Sequence, residues 1–247
     1  MLKKLTERIY YLEGDEFTDR PFIYYINGDR ESLAVDAGES ANHVAYFYKE
    51  LEKNKLRKPD YTVITHWHWD HTFGMHAVSG KTIASEITDE KLEQMKSWEW
   101  TNEAIEERLK SGKDIKYCMD CLKREYAYLN DIITVQADEI IKGERIIELG
   151  GVTCCILQHD NTHSRDGLFV YIPTEKALVV GDADYEDYYD NDYRYDKKRL
   201  NELIEFISQF DFKYYLRGHE GIMKKEEALC FLNSRRNSNA QSIVANM

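Results

Sequence analysis

The segment THWHWDHTFGMH, Thr65–His76, decides how this chain is read. Four of the eight histidines in the 247-residue sequence fall inside it, directly after the apolar run YTVIT. A short apolar run of this kind reads as a buried strand, so the histidines stand where strand gives way to a turn and a short helix. Side chains can converge at a strand end without breaking a hydrogen-bond ladder. Neutral imidazole and carboxylate are ligands for Zn, Fe or Mn ions, and His66, His68, Asp70 and His71 offer four donors within six positions. That is more than one ion normally takes from a single segment, so two ions are indicated.

Three later positions meet the remaining need for donors. His163 stands in NTHSRD, Asp182 in VVGDAD and His219 in YLRGHEG, at successive steps of 92, 19 and 37 residues from one ligand to the next, starting at His71. Each falls at a strand's end or in a loop between strands, which suggests one rim assembled from strand termini remote in sequence. His43, His76 and His159 are expected to be structural. Of these, His159 lies four residues before His163 and is its competitor for a ligand role.

Composition sets the frame around this rim. Hydrophobic residues make up 43% and charged residues 32%, the proportions of a globular chain, and no apolar run approaches a membrane span. Glu7 interrupts the apolar stretch of MLKKLTERIYYL, so no export signal is read and a cytoplasmic protein is expected. A formal charge of −12 argues against a partner bound through phosphates, so neither nucleic acid nor a membrane surface is expected. The five cysteines form an odd set without framework spacing and are expected to be reduced. Cys118 and Cys121 of CMDC fall in a helical pattern with no second pair nearby, and read as structural thiols.

With three prolines, thirteen glycines and no repeat or low-complexity linker, residues 1–247 read as one domain. Strands are expected at RIYYL, FIYYIN, SLAVDAG and YTVIT, with a helix near 40–55. Residues 86–128 change to helical spacing and read as a helical insertion, carrying Trp98, Trp100, Tyr117, Tyr126 and Tyr128. It is expected either to cap the cleft or to form a homodimer interface, with its rings ordinarily buried. Strands resume at IIELGG, VTCCILQ, GLFVYI and KALVVGD, with a turn at 173–176. A helix near 197–210, the strand YYLRGH and a helix near 224–236 close the α/β pattern of sheets covered by helices.

From LAVDAG through THWHWDH, HSRDG and VVGDAD to RGH, the chain resembles the metallo-β-lactamase superfamily along most of its length. The resemblance implies a four-layer αβ/βα sandwich with two divalent metal ions on one edge. It implies His66, His68 and His163 around one ion and Asp70, His71 and His219 around the other, with Asp182 bridging and Asp36 steadying the site from behind. Zinc is the first expectation, with iron or manganese as alternatives. A bridging Asp182 departs from the β-lactamases proper. Glyoxalase II-type thioesterases keep that Asp but add a C-terminal helical region, whereas here the helices come earlier. Flavodiiron oxidoreductases generally carry Glu where His68 stands. HSRD replaces the common His-Thr-Pro-Gly, which leaves Arg165 and Asp166 either facing the cleft or forming a solvated charge pair.

The implied chemistry is attack by a metal-bridging hydroxide on a small ester, thioester or lactone, with Asp70 orienting that nucleophile and shuttling its proton. No GxSxG nucleophile elbow is present. The run YEDYYDNDYRYD after Asp182 offers Tyr185, Tyr188 and Tyr189 to stack on the substrate or donate to a developing oxyanion, or else to pack locally. Trp67 and Trp69 read as packing around the ligands. A phosphodiesterase, an iron-dependent oxidoreductase and a metal-binding module without catalysis are the competing readings.

Overall fold

The computed structural model describes residues 1–189 and 194–237, as two β-sheets packed face to face with helices on both outer sides. The first sheet begins with β1 (Leu2–Lys4), β2 (Ile9–Leu12), β3 (Ile23–Asn27) and β4 (Ser32–Val35). Helix α1 (Ala41–Lys53), β5 (Tyr61–Val63), the short helix α2 (Trp69–Thr72) and β6 (Lys81–Ser85) follow. Three helices, α3 (Glu86–Met95), α4 (Asn102–Lys110) and α5 (Lys116–Glu125), then lead to β7 (Glu139–Ile141). The spatial order is β1-β2-β3-β4-β5-β6-β7, antiparallel as far as β4 and parallel from β4 to β7.

The second sheet contains β8 (Glu144–Glu148), β9 (Thr153–Gln158), β10 (Leu168–Ile172), β11 (Ala177–Gly181), β12 (Tyr214–Arg217) and β13 (Ile222–Lys224). Only β11 and β12 run parallel, joined by α6 (Lys197–Ser208), and α7 (Lys225–Asn237) comes last among the described residues.

Strand alternation builds the layers. In β3, Tyr24 and Ile26 join Leu33, Val35, Val63, Ile156, Val170 and Val179 in the core between the sheets. Ile23 and Tyr25 point the other way, onto Phe47 and Leu51 of α1. Burial on both faces makes these strands continuous apolar runs, and each such side chain contributes roughly 1.5–3 kcal/mol. Ser40 caps α1 by accepting from the His43 amide, and Val44, Phe47 and Leu51 lie on its buried face. On the far side Leu200, Leu203 and Ile207 of α6 cover Phe169, Leu178 and Tyr215.

Four strands carried too few alternations to be read from sequence: β1, β6, β7 and β13, each of three to five residues. The insertion also divides. Leu92 of α3 packs with Ala37, Ile64 and Ala84, so that helix belongs to the layer over the first sheet. Helices α4 and α5 instead build a separate cluster with Trp69 and Phe73, to which Trp98, Trp100 and Tyr126 are added. The expectation that all the insertion's rings are buried fails at Tyr117 and Tyr128, which are exposed; the Tyr117 hydroxyl reaches out to Asp19. All five cysteines are free thiols.

Candidate metal centre

Parallel neighbours end on the same side, and this brings the predicted residues together. Asp36 follows β4, the His66–His71 segment follows β5, Asp182 follows β11 and His219 lies just past β12. His163 sits in the loop entering β10, whose antiparallel pairing with β11 puts that loop on the same edge. Two glycines make the approach close enough. A Cβ on Gly181, which has φ +57°, would lie 2.5 Å from Thr65 Oγ1, and one on Gly218 would lie 2.1 Å from Asp182 Oδ1.

The seven side chains form two adjoining clusters, His66, His68 and His163 in one and Asp70, His71, Asp182 and His219 in the other. His68 Nδ1 stands 3.0 Å from His66 Nε2 and 2.8 Å from His163 Nε2. One ring nitrogen carries either one proton or one lone pair, so it cannot serve both neighbours by hydrogen bonding, whereas a shared cation would satisfy all three. In the second cluster Asp70 Oδ2 is 3.0 Å from His71 Nε2 and 3.1 Å from His219 Nε2. Asp182 Oδ2 lies between the clusters, 3.4 Å from His71 Nε2, 3.5 Å from His219 Nε2 and 3.8 Å from His163 Nε2. His71 Nε2 and Asp182 Oδ1 are buried without a hydrogen-bond partner. Orphaned buried nitrogen and carboxylate oxygen atoms of this kind fit as ligands of divalent metal ions.

The outer ring nitrogens fix which way the inner ones face. His71 Nδ1 donates to Asp36 Oδ2 at 2.8 Å, and His163 Nδ1 donates to the Glu186 carbonyl at 2.7 Å. The Thr65 hydroxyl donates to Asp36 and stands 3.1 Å from His66 Nδ1, so its lone pair is left to accept from that ring. Each arrangement turns an Nε2 atom inward. Asp36 takes a left-handed backbone, φ 68°, and also accepts the Thr65 amide at 2.8 Å.

Electrostatics separate the two clusters. Burial, reinforced by neighbouring imidazoles, holds His66 and His68 well below the ordinary histidine pKa, and burial also lowers His163, so the first cluster is neutral. Burial would lower His71 and His219 too. There the nearby carboxylates win: Asp70, Asp36 and Asp182 raise His71 well above its usual value, and Asp182 with Asp70 and Asp19 raises His219 to about 9. The second cluster therefore attracts positive charge, whether a proton or a metal ion.

Placement of the other predicted residues is mixed. Tyr189 lies 5.2 Å from the His68 ring, Tyr188 5.5 Å from His163, and Tyr185 6.1 Å from His163 and 6.3 Å from His219. The Tyr185 hydroxyl is buried without a hydrogen-bond partner. Tyr193, from the same run, lies outside the described residues. Arg165 is exposed, but Asp166 is fully buried, so the pair neither faces the cleft together nor is solvated together. His159 stacks on Phe206 of α6 with centroids 4.0 Å apart and does not compete with His163. His43 is buried, and His76 Nδ1 donates to the Phe73 carbonyl. Asp19 was not foreseen: it sits 3.8 Å from His219 Nδ1, with φ 67°, its pKa raised by burial to about 7.

Residues 18–219 match the metallo-beta-lactamase superfamily. The chain belongs to that superfamily. Solved structures of the same fold include a metallo-beta-lactamase from Pontibacter korlensis, at TM-score 0.66 and 16% identity over 96% of this chain and 99% of that one. A metallo-beta-lactamase from Hirschia baltica aligns at TM-score 0.63 and 16% identity, covering 97% and 99%. The stereoselective inverting sec-alkylsulfatase Pisa1 from Pseudomonas sp. aligns at TM-score 0.67 and 14% identity, over 95% of this chain but 40% of that one. Among curated proteins none matches. The αβ/βα sandwich expected from the histidine motif is thus the metallo-β-lactamase sandwich, with its His/Asp cluster on one edge. Among the described residues no helix is long and apolar enough to cross a membrane.

Proposed function

We infer that the protein is a dinuclear metal-dependent hydrolase acting on a small ester, thioester or lactone. The observation that carries this reading is the pair of adjoining clusters with Asp182 between them. His66, His68 and His163 would hold one ion, Asp70, His71 and His219 the other, and Asp182 both. Two divalent cations, zinc first among them, supply Lewis acidity and a nucleophilic hydroxide near neutral pH. Asp70, whose Oδ2 lies 3.1 Å from His219 Nε2, would orient that nucleophile and shuttle its proton. The unpartnered Tyr185 hydroxyl supports a role as donor to an oxyanion, and the rings of Tyr188 and Tyr189 beside the histidines support an uncharged, partly apolar acyl group. Arg165 stays a candidate for the cleft's outer rim.

The test is metal analysis of protein purified without added metal, followed by turnover of an acyl panel by the loaded form. A chromogenic phosphodiester and a secondary alkyl sulfate run beside it, together with oxygen consumption by iron-loaded protein. Hydrolysis of acyl substrates alone supports the reading. Turnover of only the phosphodiester or the sulfate, or oxygen uptake, replaces it. A protein that loads two ions and turns over none of these reduces it to a binding module.

A further inference from the structure

Asp166 is a carboxylate with no solvent contact, in a loop whose HSRD pattern carries no mark of a buried charge. Burying it is costly unless several donors surround it. Three do. Its Oδ2 accepts from the Trp67 amide at 2.8 Å and from the Thr88 hydroxyl at 2.7 Å, and its Oδ1 accepts from the Ser164 hydroxyl in a short contact. Thr88 is itself anchored, since its amide donates to Ser85 Oγ at the start of α3. Burial pushes the Asp166 pKa up to about 6, against the pull of these donors.

The position of the donors gives the arrangement its meaning. Trp67 lies between His66 and His68 in the chain, and Ser164 adjoins His163. One side chain therefore ties the backbone of the first two histidines to the loop of the third, 99 residues away, and ties both to α3. Asp36 does the corresponding work for the other cluster, through His71 Nδ1, and reaches His66 only by way of the Thr65 hydroxyl. Asp166 makes no hydrogen bond to Asp70, His71, Asp182 or His219.

We propose that Asp166 is the positioning residue of the three-histidine cluster, so that the two metal sites have separate carboxylate supports and can be weakened one at a time. The proposal rests on the metal-binding reading above. It makes Asp166 a residue that acts through Trp67 and Ser164 and touches neither ion nor substrate. Outer partners of this kind typically change metal affinity by roughly 10–100-fold.

The experiment is zinc titration of metal-free full-length protein against a chromogenic chelator, with wild type, D166A, D166N and T88V compared with H163A and H219A as references for loss of each site. Circular dichroism of each metal-free variant checks folding. D166A is expected to lose affinity at one site by roughly 10–100-fold, with an isotherm resembling that of H163A and not that of H219A. D166N should remain within threefold of wild type, because an amide oxygen can accept from Trp67 and Thr88 while its NH2 donates to Ser164. T88V should show a smaller loss at the same site, and carries the test alone if D166A does not fold. Two unchanged affinities in D166A and T88V, an equal loss at both sites, or D166N failing as far as D166A would each overturn the proposal. A wild-type protein that binds no zinc would instead remove the metal reading on which it rests.

Discussion

His71 Nδ1 donates to Asp36 across 2.8 Å, and that is the one hydrogen bond holding a ring whose other nitrogen faces the Asp70 and Asp182 carboxylates. Removing Asp36 would free the ring to rotate and would also release the Thr65 amide and hydroxyl. Asp36→Ala is therefore expected to weaken metal binding by roughly 10–100-fold, chiefly at the carboxylate-containing site. Asp36→Asn should fall between, since Asn tolerates the left-handed backbone but loses the charge. Chelator competition measures this, and wild-type affinity in the alanine variant would refute it.

Metal should also stabilise the fold. The seven side chains come from segments spread between residues 66 and 219, and the unfolded chain cannot hold them together. Zinc added to metal-free protein is expected to raise Tm by several degrees in a concentration-dependent way, and EDTA to reverse the gain. His163→Ala should abolish part of the increment. An increment that survives loss of both His163 and His219 would place the stabilising ion elsewhere.

Tyr185 offers a test of the chemistry as distinct from the binding. Its hydroxyl is buried and unpartnered, while Arg217 lies 4.9 Å over its ring and helps hold the ring in place. Phenylalanine keeps that packing and deletes only the donor. If the hydroxyl serves an oxyanion, Tyr185→Phe should lower kcat by about 10²-fold with little change in KM or in bound metal. A rise in KM at constant kcat would assign the residue to substrate binding instead.

Glu39 supplies a pH dependence. Burial, and then the Glu125 carboxylate beside it, raise its pKa to about 10, although Arg20 bridges both groups. The folded protein thus keeps a proton on Glu39 that the unfolded chain releases above the ordinary carboxyl pKa. Stability from this group is fully present below that pKa and is lost as pH rises toward 10. Gln cannot ionise in either state and escapes the loss. The stability advantage of Glu39→Gln over wild type should grow from about pH 5 to pH 9, at no more than ~1.4 kcal/mol per pH unit. Thermal melts across that range decide it, and a shrinking advantage would exclude a buried neutral Glu39.

What could be read from sequence depended on local pattern. Strands such as Ile23–Asn27 and Leu168–Ile172 announce themselves because both faces are apolar, and the His66–His71 donors stand close enough in the chain to betray their purpose. Loop orientation left no such trace: Arg165 turns out and Asp166 turns in, though nothing in HSRD distinguishes them. Asp19 stands 3.8 Å from His219 in a loop held by contacts remote in sequence: Arg20 is clamped to Glu125, 105 residues away, and the Tyr117 hydroxyl meets Asp19 itself. The Glu186 carbonyl that orients His163 is a backbone atom and has no residue signature at all.

Gly218 gives the sharpest packing test of the second cluster. It stands between buried Arg217 and His219, and a Cβ there would meet Asp182 Oδ1 at 2.1 Å and His71 Cε1 at 2.9 Å. No positive φ is involved, so alanine meets no left-handed strain there and acts through contact. Neither neighbour can yield cheaply. His71 is pinned through Asp36, and moving Asp182 takes a carboxylate away from both clusters at once. Gly218→Ala is therefore expected to cost several-fold or more in metal affinity at the Asp70/His71/His219 cluster and, on the hydrolase reading proposed above, to reduce turnover in proportion, while the three-histidine cluster loses less. The overpacking penalty on stability should be roughly 1–3 kcal/mol, read from denaturant melts of the metal-free protein. A variant that melts and binds metal like wild type would mean that Asp182 can swing aside freely, and would argue against its standing as the residue shared by the two ions.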